Sequence, residues 1–211
     1  MKSAQWHLVD YSGGTPAQEL AAVPIISKLG SCLLLGFLAT ASAIAESLPD
    51  AENLGCIRDM TPVRGFFVSN LQGDLDKTLD IANAGTGSYP EGSVIQLVPA
   101  EVMIKRAPGT SPATRDWEFI ELEVSAEGSK VRSRGFVDVV NQFGGNCFAC
   151  HVKANPGRDL VCEQGNGCDP IPLTPTMIKA IQNTDPRCEP VELPPEQIEA
   201  LKQLKAALAN N

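Results

Sequence analysis

Apolar and polar positions change rhythm along this chain, and the changes separate extended from helical segments. In residues 117–124, Ile120, Leu122 and Val124 alternate with Glu121 and Glu123. That period of two predicts a strand with one buried face and one wet face. Residues 93–98 follow the turn-forming run Tyr89, Pro90, Glu91 and Gly92 and read as another strand, as do residues 102–105. Residues 62–68 (Pro, Val, Arg, Gly, Phe, Phe, Val) form one extended apolar segment. After it, Leu71, Leu75 and Leu79, spaced by four and joined by Ile81, predict a short helix. Residues 129–134 and 136–140 supply a further strand, or a strand running into a helix. A Pro- and Gly-rich stretch over 107–116 connects strands, and a Gly- and Pro-rich loop leads to Pro175, ahead of a short helix over 177–181. Pro194 and Pro195 open a last helix whose Ile198, Leu201, Leu204 and Leu208 share a face that packs on the domain. The expected fold class is α+β, mainly an antiparallel sheet with a few helices.

A different pattern precedes all of this. Lys28 is followed by an apolar run from Leu33 to Leu38 and then by Ala41, Ser42, Ala43, Ile44 and Ala45. A basic residue, an apolar core and an Ala-x-Ala site, in that order, predict a secretory signal cut after Ala45. An uncleaved anchor is the rival reading, since the run over 29–45 is only slightly shorter than the roughly 20 residues a spanning helix needs; the cleavage site favours removal. Asp10 and Glu19 ahead of Lys28 are unusual in a leader, which points to a start codon lying further in. Cys32 sits at the front of the apolar run, where a lipid-modified cysteine would close it. Residues 1–45 are therefore read as extension and signal, and residues 46–211 as one periplasmic or secreted domain.

The net charge of −8 belongs to that domain, because Lys2 and Lys28 offset Asp10 and Glu19. Such a surface repels nucleic acid and anionic lipid and leaves small molecules or a basic redox protein as partners. Beyond Cys32, six of the seven cysteines lie in the domain. Cys147 and Cys150 belong to the motif discussed next, and Cys56, Cys162, Cys168 and Cys188 remain. An even remainder in an exported chain predicts two disulfides. Of the three pairings, Cys162 with Cys168 closes a local Gly-containing loop, and Cys56 with Cys188 ties the chain ends. A metal site built from the four thiolates is the competing reading.

Cys147, Phe148, Ala149, Cys150 and His151 form the pattern of covalent haem attachment. Two thiols add to the vinyl groups of one haem c, and the adjacent imidazole takes the iron. The only other histidine, His7, lies ahead of the signal, so a second histidine ligand from the domain is excluded. The sixth position is then open or filled by another group. Met177 is the candidate sixth ligand, while Met103, among apolar strand neighbours, reads as core. About a hundred residues precede the motif, whereas small electron-carrying cytochromes open with it, which favours an open site.

These residues also resemble those of a known family, the cytochrome P-460 and cytochrome c′-β proteins, periplasmic proteins with a single haem. The resemblance runs from Thr61 to Asp159. It rests on Val63-Arg64-Gly65-Phe66-Phe67-Val68, Tyr89-Pro90-Glu91-Gly92-Ser93-Val94-Ile95, Asp116-Trp117-Glu118-Phe119 and Asn146-Cys147-Phe148-Ala149-Cys150-His151, with Ala154 and Asp159 following. It implies a mostly antiparallel β fold, a five-coordinate haem on His151, and a distal pocket that binds nitric oxide or oxidises hydroxylamine. Arg64 falls at the family's distal arginine, and homodimers are a family expectation. The hydroxylamine-oxidising members carry a haem-crosslinked lysine at the position of Leu97, with Lys105 the nearest substitute. Without that lysine the pocket resembles the gas-binding members, with Phe66, Phe67 and Leu97 as lining candidates. Three readings follow: a gas-binding module, an oxidoreductase using Arg64 and an acid such as Glu101 or Asp116, and an electron carrier ligated by Met177.

Overall fold

A computed structural model describes residues 50–209; the proposed signal, with Cys32 and His7, lies outside the described residues. The fold is α+β: a six-stranded antiparallel sheet and four helices. The strands are β1 (Thr61–Val63), β2 (Phe66–Asn70), β3 (Ser93–Gln96), β4 (Glu101–Lys105), β5 (Trp117–Ser125) and β6 (Gly128–Gly135), and each pairs with its neighbours in chain order. Helix α1 (Leu75–Ala84) fills the connection between β2 and β3; α2 (Cys147–His151), α3 (Pro175–Asn183) and α4 (Pro195–Ala209) follow the sheet.

The segment over 62–68 is not one strand but a hairpin. Arg64 adopts a left-handed conformation, φ 54°, and with Gly65 turns the chain so that Val63 pairs with Phe66. The residues of 129–134 do form a strand, β6, whereas those of 136–140 contribute only a single bridge, Val140 to Asn146. α1 begins at Leu75, after Leu71, and ends on Gly85, whose φ of 67° closes the cap to the carbonyls of Ile81 and Ala82.

Period two divides the sheet into two buried faces. Val94, Val102, Ile104, Ile120 and Leu122 gather on one face under Ala51. On the other face, Val68, Ile95, Met103 and Phe119 stand opposite one another across four strands, and Met103 is core, as its neighbours suggest. α2 and the segment after it cover this second face through Cys147, Phe148, Leu160 and Val161. Both faces of the first part of β5 are therefore buried. Glu121, expected in water, is 1% exposed, while Glu123 is exposed.

Both expected disulfides are present, Cys56–Cys188 and Cys162–Cys168, so the four-thiolate metal site is corrected. The first lies beside a buried ion pair, Asp185 with Arg187, at 2.7 Å. Asp185 also accepts from the Ile57 amide, and Arg187 donates to Leu54 and Ser129, so the two chain ends share one knot. α4 packs on α3, with Gln197 accepting from Asn183; Ala200 is buried and Leu201 and Leu204 are half-buried, but Ile198 and Leu208 of the expected apolar face are 44% and 49% exposed. Among the described residues no helix is long and apolar enough to cross a membrane.

Cys56–Cys188 closes a loop of 132 residues. Replacing both by Ala should lower the unfolding free energy by about 5 kcal/mol, read by urea titration. A loss below about 1 kcal/mol would mean that the Asp185–Arg187 knot holds the ends unaided.

Candidate functional site

The motif becomes a site because Asn146 starts a helix there. Its side chain accepts from the Ala149 amide at 2.8 Å and its Nδ2 donates to the Val137 carbonyl at 2.8 Å, while the Cys147 amide donates to Val139. An Asn N-cap satisfies an amide that the first turn leaves unpaired. In the helix so begun, Cys147, Cys150 and His151 occupy positions i, i+3 and i+4 and share a face. Cys147 and Cys150 are the free thiols among the described residues, one half-buried and one exposed.

The His151 ring packs against the sheet, 5.1 Å between centroids from Phe119, which also meets Phe148 at 6.4 Å. Its Nδ1 lies 2.8 Å from the Leu160 carbonyl oxygen. A carbonyl only accepts, so Nδ1 carries the proton and Nε2 presents a lone pair. Burial lowers the imidazole pKa and so favours the neutral form, the one that ligates a metal. Two free thiols and a neutral imidazole with its second nitrogen anchored are the donor set that a c-type haem requires.

Leu97 and Phe66 lie on the same sheet face as Phe119 and pack into the same cluster as Cys147 and Phe148. Phe67 does not: it points to the other side, with Ile57 and Cys188, under the Lys179 ammonium. The structure also corrects the strand position expected of Arg64. In its turn, Arg64 donates twice to Glu163 at 2.7 Å and once to the Ala82 carbonyl at 2.8 Å, tying the end of α1 to the loop beyond the motif. Glu163 takes Arg158 as well. Met177 is half-buried on α3, whose Gln182 reaches the carbonyls of Gly65 and Leu97. Lys105, the nearest substitute for the crosslinking lysine, is buried and paired with Asp159 at 2.7 Å.

The two candidate acids part company. Amides of Ser111 and Gly109 hold the Asp116 carboxylate in its turn and lower its pKa. Glu101 instead stands opposite Glu121 across β4 and β5. Burial, then the Glu121 charge, push Glu101 up to about 7, against one hydrogen bond from Asn141. Glu121 accepts from the Gln142 amide and pairs with Arg132, and its Oε2 has no protein partner. Asn141 and Gln142, which bind the two acids, belong to the turn that leads into the motif, and burial followed by the charges of these acids pushes the Cys147 thiol up to about 12. Glu121 was hidden from sequence reasoning because its role depends on which residue faces it across the sheet. Compared with models of protein families, with curated proteins and with solved structures, the chain matches none.

The raised pKa of Glu101 fixes a direction. Between its ordinary 4.5 and about 7 the folded protein holds a proton that the unfolded chain has released. The stability it contributes is complete below 4.5 and is lost as pH rises through 7. Glu101→Gln should therefore gain in melting temperature over the unaltered protein as pH is raised across that window. A difference that stays flat with pH contradicts the assignment.

Proposed function

We propose that this chain is an exported protein carrying one haem c, bound through Cys147 and Cys150, with His151 as the proximal iron ligand and an open sixth position that takes nitric oxide or a related small nitrogen or oxygen ligand. The observation that carries the reading is the shared helix face of the two free thiols and an imidazole anchored through Nδ1. The two disulfides suit an oxidising compartment, consistent with a periplasmic or secreted protein.

Bound there, the haem supplies the iron that holds and polarises a small ligand. The chain's own residues do the rest. Leu160 fixes the tautomer of His151, and Phe119 and Phe148 pack around the motif and limit water. Glu101, pushed up to about 7 by burial, is held by Asn141 in the turn that leads into Cys147. Leu97 stands where the resembling hydroxylamine-oxidising proteins carry their crosslinking lysine, and Lys105 is engaged by Asp159. Both observations favour gas binding over the crosslinked chemistry. A small ligand, a redox protein and a second copy of the chain are the partners this reading admits.

Two measurements test it. Cys147→Ala with Cys150→Ala should abolish the haem stain that survives a denaturing gel, whereas His151→Ala should keep the stain with altered ligation; an undiminished stain in the double variant refutes the attachment. The ferrous protein should show a high-spin spectrum that changes at once with carbon monoxide or nitric oxide. A low-spin spectrum indifferent to gas would transfer the chain to the electron carriers, with Met177 as the first residue to replace.

A further inference from the structure

Two consecutive residues after the motif, Asp159 and Leu160, adopt left-handed backbone conformations with φ of 49° and 63°. Neither is glycine, and a left-handed conformation is unfavourable for residues with a Cβ, so the surroundings must offset it. Those surroundings are specific. The Asp159 carboxylate accepts from the Lys105 ammonium at 2.7 Å and from the Tyr89 amide at 2.9 Å, and the Asp159 carbonyl accepts from Trp117 Nε1 at 2.6 Å. Lys105 Nζ also donates to the Arg115 carbonyl at 2.6 Å and lies 5.0 Å from the centre of the Trp117 ring. The side chains of Lys105 and Asp159 are only 8% and 4% exposed. The backbone turned by this cluster presents the next carbonyl, that of Leu160, to His151 Nδ1 at 2.8 Å.

We propose that Lys105 and Asp159 are positioning residues for His151: their buried pair, anchored on β4 and β5, holds the left-handed turn that aims the Leu160 carbonyl at the imidazole. The proposal rests on the reading of His151 as the proximal ligand. Buried ion pairs add little net stability for the cost of desolvating both charges, so a positional role accounts for the pair better than a stabilising one. The chemical consequence follows from donation at Nδ1. A well-aimed acceptor gives the imidazole partial anionic character and makes Nε2 a stronger donor to iron. A misplaced acceptor weakens that bond and favours the reduced metal.

The test uses the haem-loaded protein of residues 46–211 with Lys105→Met or Asp159→Asn, and with Trp117→Phe as a milder change that removes the hydrogen bond to the Asp159 carbonyl. Asp185→Asn, which breaks the other buried ion pair at the far knot, is the control. The iron–histidine stretch of the ferrous protein and the reduction potential are read, alongside the covalent haem stain. Lys105→Met and Asp159→Asn should keep the stain, move the stretch to lower frequency and raise the potential. Trp117→Phe should do so less, and Asp185→Asn should lose stability with the stretch unmoved. An unmoved stretch in both Lys105→Met and Asp159→Asn, or an equal shift in the control, overturns the positioning role while leaving the haem assignment intact. An unaltered protein without stain or iron–histidine band overturns both.

Discussion

The hydrogen bond from His151 to Leu160 is the contact on which this architecture turns, because it joins the motif helix to the segment that closes over the sheet. Left in solvent, that carbonyl would hydrate and the imidazole would exchange its proton between the two ring nitrogens. Here Asp159 is fixed to β4 through Lys105 and to β5 through Trp117, so the carbonyl is delivered by the most deeply buried part of the sheet. Further along, Glu163 binds Arg64 and Arg158, and Cys162–Cys168 closes the loop, so the segment is restrained on both sides of Leu160.

The sheet supports this arrangement because both its faces are occupied. One is an apolar core under Ala51; the other carries Val68, Ile95, Met103 and Phe119 beneath the motif. Covering that second face has an electrostatic consequence. Glu101 and Glu121, paired across β4 and β5, leave water together, and a charge on either disfavours a charge on the other. A half-buried carboxyl pushed up to about 7, in the strand held by the turn ahead of Cys147, is thus a product of the same packing that anchors the histidine.

Much of this was legible in the chain. The strands β3, β4 and β5 were readable from period-two alternation and turn residues, the disulfides from cysteine parity and loop length, and the motif from five consecutive residues. Other features depend on tertiary contact. The hairpin at Arg64 was hidden because a left-handed arginine leaves no signal except the glycine beside it. Lys105 at a strand end is ordinarily solvated, and its partner lies 54 residues away. Glu121 reads as a wet-face residue until a covering segment is known to lie over it. The apolar stripe of α4 overstated its burial, since Ala200 is buried and Leu201 and Leu204 are half-buried while Ile198 and Leu208 stay exposed.

The central claim concerns covalent bonds at Cys147 and Cys150, and the intact mass of the protein tests it most directly. The protein would be produced in a host that matures c-type cytochromes and weighed denatured and unreduced. The account predicts residues 46–211 plus one haem, with disulfides only at Cys56–Cys188 and Cys162–Cys168. The mass of the polypeptide alone, with Cys147 and Cys150 joined in a third disulfide, would contradict it.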